Sequence, residues 1–290
     1  MENKNSLILG LIRKLTDYAD YPHEISSDTI ASIFSEKKNY TDSFVSPEKT
    51  DFYAYAYNKI CINPQTFKNI LPESDIVYLE NNHTYKSLFY ASWKMGLNLL
   101  FTAHYNGNQY PGIFMSLFMR LLIEKIFQPS FPTMEKNKYQ PDSFHDKIIE
   151  LFEEANHLNY ELAVCAIEPY WAKMTFYSNC ITMYYCSKET SSAVAINSKY
   201  TSLPPKTQIH EKFKTFHIDY IKNSIFYLPS FAIEKDDSLQ SFVFRFREAL
   251  SEISKLDLHK QKKEIQALFH SVSPEHQQHF NSNAILIFKA

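Results

Sequence analysis

Glycine is scarce in this sequence: only Gly10, Gly96, Gly107 and Gly112 occur among 290 residues, where ordinary usage of roughly 7% predicts about twenty. Phosphate-binding loops need several glycines at fixed spacing, because the backbone must come close to the phosphate oxygens. Neither G-x-G-x-x-G nor G-x-x-x-x-G-K-[ST] occurs. The sequence therefore excludes a dinucleotide site or a P-loop of the usual form.

An excess of positive charge is also missing. The chain has 30 Lys and Arg against 32 Asp and Glu, a net charge of -2 and an isoelectric point near 6.6. Proteins that bind nucleic acids broadly neutralise phosphates with a basic surface, so we expect no nucleic-acid partner. A hydrophobic content of 44% with 21% charged residues is typical of a chain that buries a core.

Cysteine pairs and long apolar runs are absent as well. Cys61, Cys165, Cys180 and Cys186 include no C-x-x-C pair and lie in apolar stretches, which indicates reduced, buried thiols and a cytoplasmic location. The longest apolar run, 113–123, contains Arg120 and is too short to span a bilayer. The amino-terminal segment favours an ordinary helix start over a signal peptide.

What the sequence does contain is an alternation of helix-like and strand-like segments. Strand patterns at 76–80, 97–103 and 161–168 alternate with helical spacing at 85–95, 112–127 and 141–155. Such alternation is typical of a parallel sheet covered by helices. We therefore expect an α/β fold with a mostly parallel sheet flanked by helices and with helical extensions at both ends.

The same patterns suggest three segments. Residues 1–72 form a helical N-terminal segment, 73–235 an α/β core, and 236–290 a helical C-terminal segment. We expect the three segments to form one compact unit, with a further strand in AILIFK near the end.

A polar loop follows the strand at 97–103. It carries His104, Asn106, Asn108 and Gln109, and a helix begins just after it. Open α/β sheets place their ligands where a strand end meets a helix N-terminus, so the loop is a candidate site. The alternative is that His104 only ends a strand and that the nearby glycines serve a turn.

This stretch, M-G-L-N-L-L-F-T-A-H-Y-N-G-N-Q, resembles the lipid A lauroyl acyltransferases and related lysophospholipid acyltransferases over about residues 75–125. The resemblance implies that His104 is the general base for acyl transfer onto a small or lipid-like acceptor. In that family a carboxylate orients the histidine, but the matching position here is Gln109. An amide can orient the ring but cannot offset its charge, so Glu168 is the candidate acid.

Aromatic side chains make up 16% of the sequence, and one group of them follows a predicted strand. In EPYW, Glu168 precedes Tyr170 and Trp171. Such rings can line a pocket for a substrate or an acyl chain. We predict that Tyr170 and Trp171, with Asn106 and Asn108, bind the substrate.

A second hypothesis is a helical di-iron carboxylate protein. Two E-x-x-H motifs have the spacing that places two ligands on one helix face, and a carboxylate precedes each of them by about thirty residues. The six candidate ligands are Asp51, Glu80, His83, Glu124, Glu154 and His157.

A third hypothesis is a non-catalytic partner-binding or effector protein, in which the aromatic surface docks a macromolecule. The first and third hypotheses need no cofactor and no metal. The first predicts a small-molecule or acyl-chain substrate and allows peripheral contact with a membrane. The third predicts a protein partner, and it expects replacement of His104 to affect stability alone.

Overall fold

The computed structural model describes residues 64–79, 86–94, 97–107, 112–127, 141–187, 193–197, 207–235, 237–272, 280 and 283–290. Its helices are α1 (Pro64–Ile70), α2 (Gly112–Ile126), α3 (Pro141–His157), α4 (Gln240–Ile253) and α5 (Leu258–His270). Two short 3-10 helices, Ile233–Lys235 and Asp237–Leu239, precede α4. The strands are β1 (Ser74–Tyr78), β2 (Ser87–Lys94), β3 (Leu97–Tyr105), β4 (Tyr160–Glu168), β5 (Lys173–Ser178), β6 (Met183–Cys186), β7 (Val194–Ile196), β8 (Thr207–Ile209), β9 (Lys214–Asp219), β10 (Ile225–Pro229) and β11 (Ala284–Lys289).

These strands form two sheets. Sheet A has five strands in the order β1-β11-β10-β6-β7, and sheet B has six in the order β2-β3-β4-β5-β9-β8. Every strand pair among them is antiparallel. Strand β11 pairs with both β1 and β10, so the last strand of the chain lies inside sheet A.

One face of each sheet packs against the other sheet. Cys165 of sheet B has its Sγ 3.9 Å from the Sδ of Met183 in sheet A. On the same side of sheet A, the Phe226 ring stacks on Phe288 at 5.1 Å and on Tyr185 at 5.5 Å. Side chains alternate between the faces of a strand, so the neighbouring residues point away from this shared core.

The outer faces are covered by helices. On sheet B, Phe101 contacts Phe127 just after α2, and Tyr160 donates a hydrogen bond to the Met115 carbonyl of α2 at 2.6 Å. On sheet A, the Tyr184 ring meets Phe246 of α4 at 5.4 Å. The described core therefore has four layers, with α2 and α3, sheet B, sheet A, and then α4 and α5.

The expected mostly parallel sheet is wrong. Segment 85–95, which has helical spacing in the sequence, contains β2, and β2 forms an antiparallel pair with β3. Parallel neighbours need a long crossover, usually a helix, and that helix does not exist here. Strands β4 and β5 are likewise joined by the short turn 169–172. Residues 76–80 and 97–103 do not lie on neighbouring strands, since β1 belongs to sheet A and β3 to sheet B.

The prediction of parallel strands failed because strands of sheet B are buried on both faces. Strand β4 is buried from Tyr160 to Ile167, because one face meets sheet A and the other meets the helices. A strand covered on both sides is a continuous apolar run whether its neighbours are parallel or antiparallel. The hydrophobic pattern thus located β4 correctly but did not reveal the direction of its partners.

Several other elements agree with the sequence patterns. Helices α2 and α3 occur where helical spacing was found, α4 and α5 lie in the segment 236–290 that was expected to be helical, and β11 corresponds to AILIFK. The predicted helical patterns before residue 64 lie outside the described residues. Among the described helices, none combines the length and apolar character needed to cross a bilayer.

We predict that Phe226→Ala strongly destabilises the protein, because Phe226 is fully buried between the sheets. Truncating a buried phenylalanine typically costs about 3–5 kcal/mol. The matched control is Phe244→Ala in α4, where the ring is 43% exposed and a change within about 0.5 kcal/mol is expected. Urea unfolding measures both, and equal losses would contradict the assigned core.

Candidate functional site

Three polar side chains form a row across one end of sheet B. Ser87 of β2 lies opposite His104 of β3, and His104 lies opposite Glu161 of β4. Residues that are directly opposite in antiparallel strands have Cβ atoms about 4.5–5.5 Å apart and share a face. The row therefore places a hydroxyl, an imidazole and a carboxylate side by side at the strand ends.

The row faces the segment that follows β10 of sheet A. The Ser87 Oγ atom lies 3.1 Å from His104 Nδ1 and 3.0 Å from Ser230 Oγ. Glu161 Oε2 accepts a hydrogen bond from the Ala232 backbone N–H at 2.7 Å, and Lys235 Nζ donates to Glu161 Oε1 at 3.0 Å. Polar contacts thus join the two sheets at this end.

A cleft of about 640 Å³ opens beside the row. Its buried lining includes the apolar residues Phe231, Ile233 and Leu239, and its exposed lining includes the charged residues Lys235 and Asp237. The lining residues are His104, Asn106, Glu161, Phe231, Ala232, Ile233, Lys235, Asp237, Leu239, Phe280 and Asn283. We take this cleft as the candidate functional site.

His104 is held as a neutral imidazole in this cleft. Its pKa is lowered from 6.5 to about 4, chiefly by burial; the Glu161 carboxylate acts in the opposite direction, and Lys86 and Lys235 contribute to the lowering. Desolvation outweighs the carboxylate because water no longer stabilises the imidazolium. At neutral pH the ring can accept or donate a hydrogen bond but carries no charge.

The hydroxyls and thiols near the cleft are poorly placed for nucleophilic attack. Ser87 is 1% exposed and Ser230 is fully buried. Burial raises the pKa of the Cys180 thiol, and the Glu161 carboxylate adds to that effect. A thiol attacks as the thiolate, which needs a lowered pKa and access. The arrangement therefore favours binding over covalent catalysis.

The small size of Gly107 is explained by the side chain packed beside it. A Cβ atom added there would lie less than 3.0 Å from the ring and hydroxyl of Tyr105. One of the four glycines of the chain is thus needed so that the loop after β3 can pass close to an aromatic ring.

Comparison with known proteins gives matches to solved structures. No protein-family model matches the sequence, and no curated protein sequence matches it. The SiaA-PP2C domain of Pseudomonas aeruginosa is similar, with a TM-score of 0.55, 13% identity, and coverage of 84% of this chain and 97% of that chain.

Two further structures are similar. The RsbU and RsbW domains of Rv1364c from Mycobacterium tuberculosis give a TM-score of 0.53 at 8% identity, covering 76% of this chain and 60% of that chain. The PP2C phosphatase domain of SpoIIE from Bacillus subtilis, with a fragment of its regulatory domain, gives a TM-score of 0.50 at 10% identity. The match covers 75% of this chain and 62% of that chain. The chain therefore has the fold of PP2C-type phosphatase domains.

This fold replaces the acyltransferase expectation. The resemblance over residues 75–125 placed a histidine after an apolar strand of an α/β fold, but His104 lies within β3 of an antiparallel sheet, and the similar structures are PP2C-type domains. The assignment of His104 as an acyl-transfer base, and the transferase function with it, are wrong. An acyl-chain substrate has no support.

The di-iron hypothesis is wrong for the same reason, since a sandwich of two sheets is not a helical bundle. Glu124 is buried against β2, where Tyr90 and Arg120 contact its carboxylate. Glu154 and His157 are exposed on α3. The other three candidate ligands, Asp51, Glu80 and His83, lie outside the described residues.

Divalent metal pairs carry the hydrolysis of phosphate esters in many phosphatases, so the donor set of the cleft is a direct test. Mg²⁺ and Mn²⁺ prefer several carboxylate or carbonyl oxygens. Within the described ranges, no group of three or more His, Cys, Asp or Glu side chains could hold a metal ion. Glu161 is already paired with the Lys235 ammonium, which repels a cation. The described residues do not fit a metal pair.

The other residues singled out in the sequence fall in different places. His104 and Asn106 line the cleft, whereas Asn108 and Gln109 lie outside the described residues. Glu168 ends β4 at the far end of sheet B, since Glu161 is the residue of β4 that pairs with His104.

Tyr170 and Trp171 follow Glu168 in the β4–β5 turn and are 82% and 66% exposed. Their rings meet edge to face at 5.0 Å. One site cannot contain both His104 and this aromatic pair. Their role in substrate binding stays a prediction.

Ser87, Glu161, Ser230 and Lys235 were missed as site residues. Ser87 lies in a segment with helical spacing, and Ser230 and Lys235 are distant from His104 in sequence. Glu161 did carry a signal, because it is a charged residue at the start of the otherwise apolar run ELAVCAIE. A buried carboxylate needs a partner, so its position already indicated a polar contact.

We predict that His104 makes stability fall as the pH falls from 6.5 towards 4. The folded state binds the His104 proton less tightly than the unfolded state, so protonation favours unfolding below pH 6.5. Above pH 6.5 the ring is neutral in both states, and its full contribution to the free energy of unfolding is retained. His104→Asn removes this proton uptake and should lose less stability over that window. Urea unfolding at several pH values measures the difference.

The matched control is His157→Asn, at an exposed position of α3, and it should follow the wild-type pH dependence. If His104→Asn also follows the wild type, the buried neutral imidazole is contradicted.

Proposed function

We propose that this chain is a regulatory domain with the PP2C-type phosphatase fold and that it acts through a protein partner. The single observation that carries the proposal is the state of the cleft. Glu161 is held by Lys235 and by the Ala232 N–H, and no metal-binding group occurs among the described residues.

Electrostatics also disfavour a phosphorylated substrate in this cleft. The Lys235 ammonium is compensated by Glu161 at 3.0 Å, and Asp237 adds a second carboxylate to the lining. Among the described lining residues, a phosphate dianion would meet no net positive charge. Recognition of phosphate normally relies on arginine, lysine or a metal that can pair with it.

Two neighbours support the regulatory part of the proposal. The Rv1364c structure contains an RsbW domain beside the RsbU domain, and the SpoIIE structure contains a fragment of a regulatory domain. The fold therefore occurs next to other protein domains. The apolar floor of the cleft, with Phe231 and Ile233, and its charged rim fit a protein surface, since interfaces combine an apolar centre with a polar rim.

A cytoplasmic location is part of the same proposal. Cys165, Cys180 and Cys186 are free thiols, and structural disulfides are rare in reducing compartments.

Metal-dependent dephosphorylation is the second candidate function. The fold itself favours it, because the similar structures include a PP2C phosphatase domain. Catalysis would need metal ligands from residues beyond the described set, together with release of Glu161 from Lys235.

We expect the full chain to hydrolyse neither p-nitrophenyl phosphate nor a phosphoserine peptide faster with Mg²⁺ or Mn²⁺ than with EDTA. The reason is that the described residues include no group of three or more His, Cys, Asp or Glu side chains that could hold a metal ion. Release of inorganic phosphate is the measurement. Metal-dependent turnover that Glu161→Gln abolishes and the exposed control Glu153→Gln retains would contradict the proposal and support the second candidate.

The partner is expected to dock at the cleft rim. Asp237→Lys reverses a charge of the cleft lining, whereas Lys222→Glu reverses an exposed charge outside it. A partner identified by cross-linking with the wild type, and then purified, should bind Asp237→Lys at least about tenfold more weakly, equivalent to about 1.4 kcal/mol. Equal binding to the wild type and to both variants would exclude the cleft as the docking site.

A further inference from the structure

The contacts at the cleft cross from one sheet to the other. Glu161 belongs to β4 of sheet B, and its two carboxylate oxygens bind Ala232 and Lys235, which follow β10 of sheet A. The Glu161 side chain is 6% exposed, whereas that of Lys235 is 64% exposed. A nearly buried carboxylate is thus neutralised from the solvent side by one lysine.

A second set of contacts crosses at the same end. Ser87 Oγ of sheet B lies 3.0 Å from Ser230 Oγ, and Ser230 Oγ accepts a hydrogen bond from the Ala284 N–H of β11 at 3.1 Å. The Ser230 N–H donates to the Ala284 carbonyl at 2.9 Å. Ser230 therefore ties Ser87 of sheet B to the first residue of the last strand of sheet A.

We infer that these two sets of contacts form a metal-independent clasp that closes this end of the sandwich. The clasp consists of Glu161 with Ala232 and Lys235, and of Ser87 and His104 with Ser230. In it, the Lys235 ammonium neutralises the Glu161 carboxylate and the Ala232 backbone N–H binds it, which is the role a divalent cation plays in a carboxylate site. The inference deepens the proposed function and rests on it for its biological meaning.

The physical argument depends on the cost of a buried charge. A carboxylate charge near the core is stabilised only where donors replace the lost water. Lys235 supplies a full positive charge at 3.0 Å, and Ala232 N–H supplies a short hydrogen bond at 2.7 Å. A cation at the same carboxylate would have to displace the Lys235 ammonium. The clasp and a bound metal ion therefore exclude each other.

The first test measures metal binding by the full wild-type chain. We expect thermal unfolding at the same temperature, within about 1 °C, in EDTA, Mg²⁺ and Mn²⁺, because an ion that bound the folded state at saturating concentration would raise the midpoint by several degrees. Electron paramagnetic resonance of added Mn²⁺ should show only the free aqueous ion. A rise in the midpoint with Mn²⁺, or loss of the free-ion signal at about one equivalent, would overturn the inference.

The second test removes the clasp one group at a time. Lys235→Met leaves the Glu161 carboxylate without its ammonium, so we expect a lower unfolding midpoint by several degrees. Glu161→Gln has the same shape without the charge, and the double variant should be more stable than Lys235→Met alone, because the unpaired buried charge is gone. Lys222→Met and Glu153→Gln, both exposed, are the matched controls.

The outcomes separate the inference from the proposed function. Mn²⁺ binding that Glu161→Gln abolishes, without phosphate release, would overturn the clasp and leave the regulatory function standing. Metal-dependent phosphate release would overturn the function. Equal midpoints for Lys235→Met and Lys222→Met would show that the ion pair does not hold the sheets together.

Discussion

The constraint on which the structure depends is the burial of both faces of both sheets. Sheet B is covered by sheet A on one side and by α2 and α3 on the other, and sheet A is covered in turn by α4 and α5. An unpaired polar side chain in such a core costs free energy, so polar groups are favoured where partners can be supplied. That is why the polar row of Ser87, His104 and Glu161 lies at the strand ends, where the following segment of sheet A can supply partners.

The cleft follows from this arrangement. The segment after β10 continues into two 3-10 helices, and its residues contribute to the lining of the cleft. It brings Ala232 and Lys235 to the Glu161 carboxylate. His104 lies beside these contacts, and its pKa falls to about 4 chiefly through burial, which outweighs the opposing effect of the Glu161 carboxylate. The stability of the sandwich and the character of the site are therefore set by the same few residues.

The chain combines a phosphatase-domain fold with a cleft whose described residues do not suit a metal pair. A fold can host several functions because function depends on the side chains of the site. Here the architecture matches PP2C-type domains at 13% identity or less, while an ion pair and serine hydroxyls lie at the sheet ends. The fold is therefore shared with these domains, whereas the side chains of the cleft are the basis for the partner-binding function that we propose.

The sequence by itself determined the positions of several elements. Helical spacing located α2 and α3, and apolar runs located β3, β4 and β11. The sequence also singled out His104, which lies near the end of β3 and lines the candidate cleft. Only the tertiary structure decided the direction of the strands, the hairpin of β2 with β3, and the meeting of Glu161 with Lys235. Hydrophobic periodicity reports which faces are buried, but it carries no information on which segments pack together or in which direction.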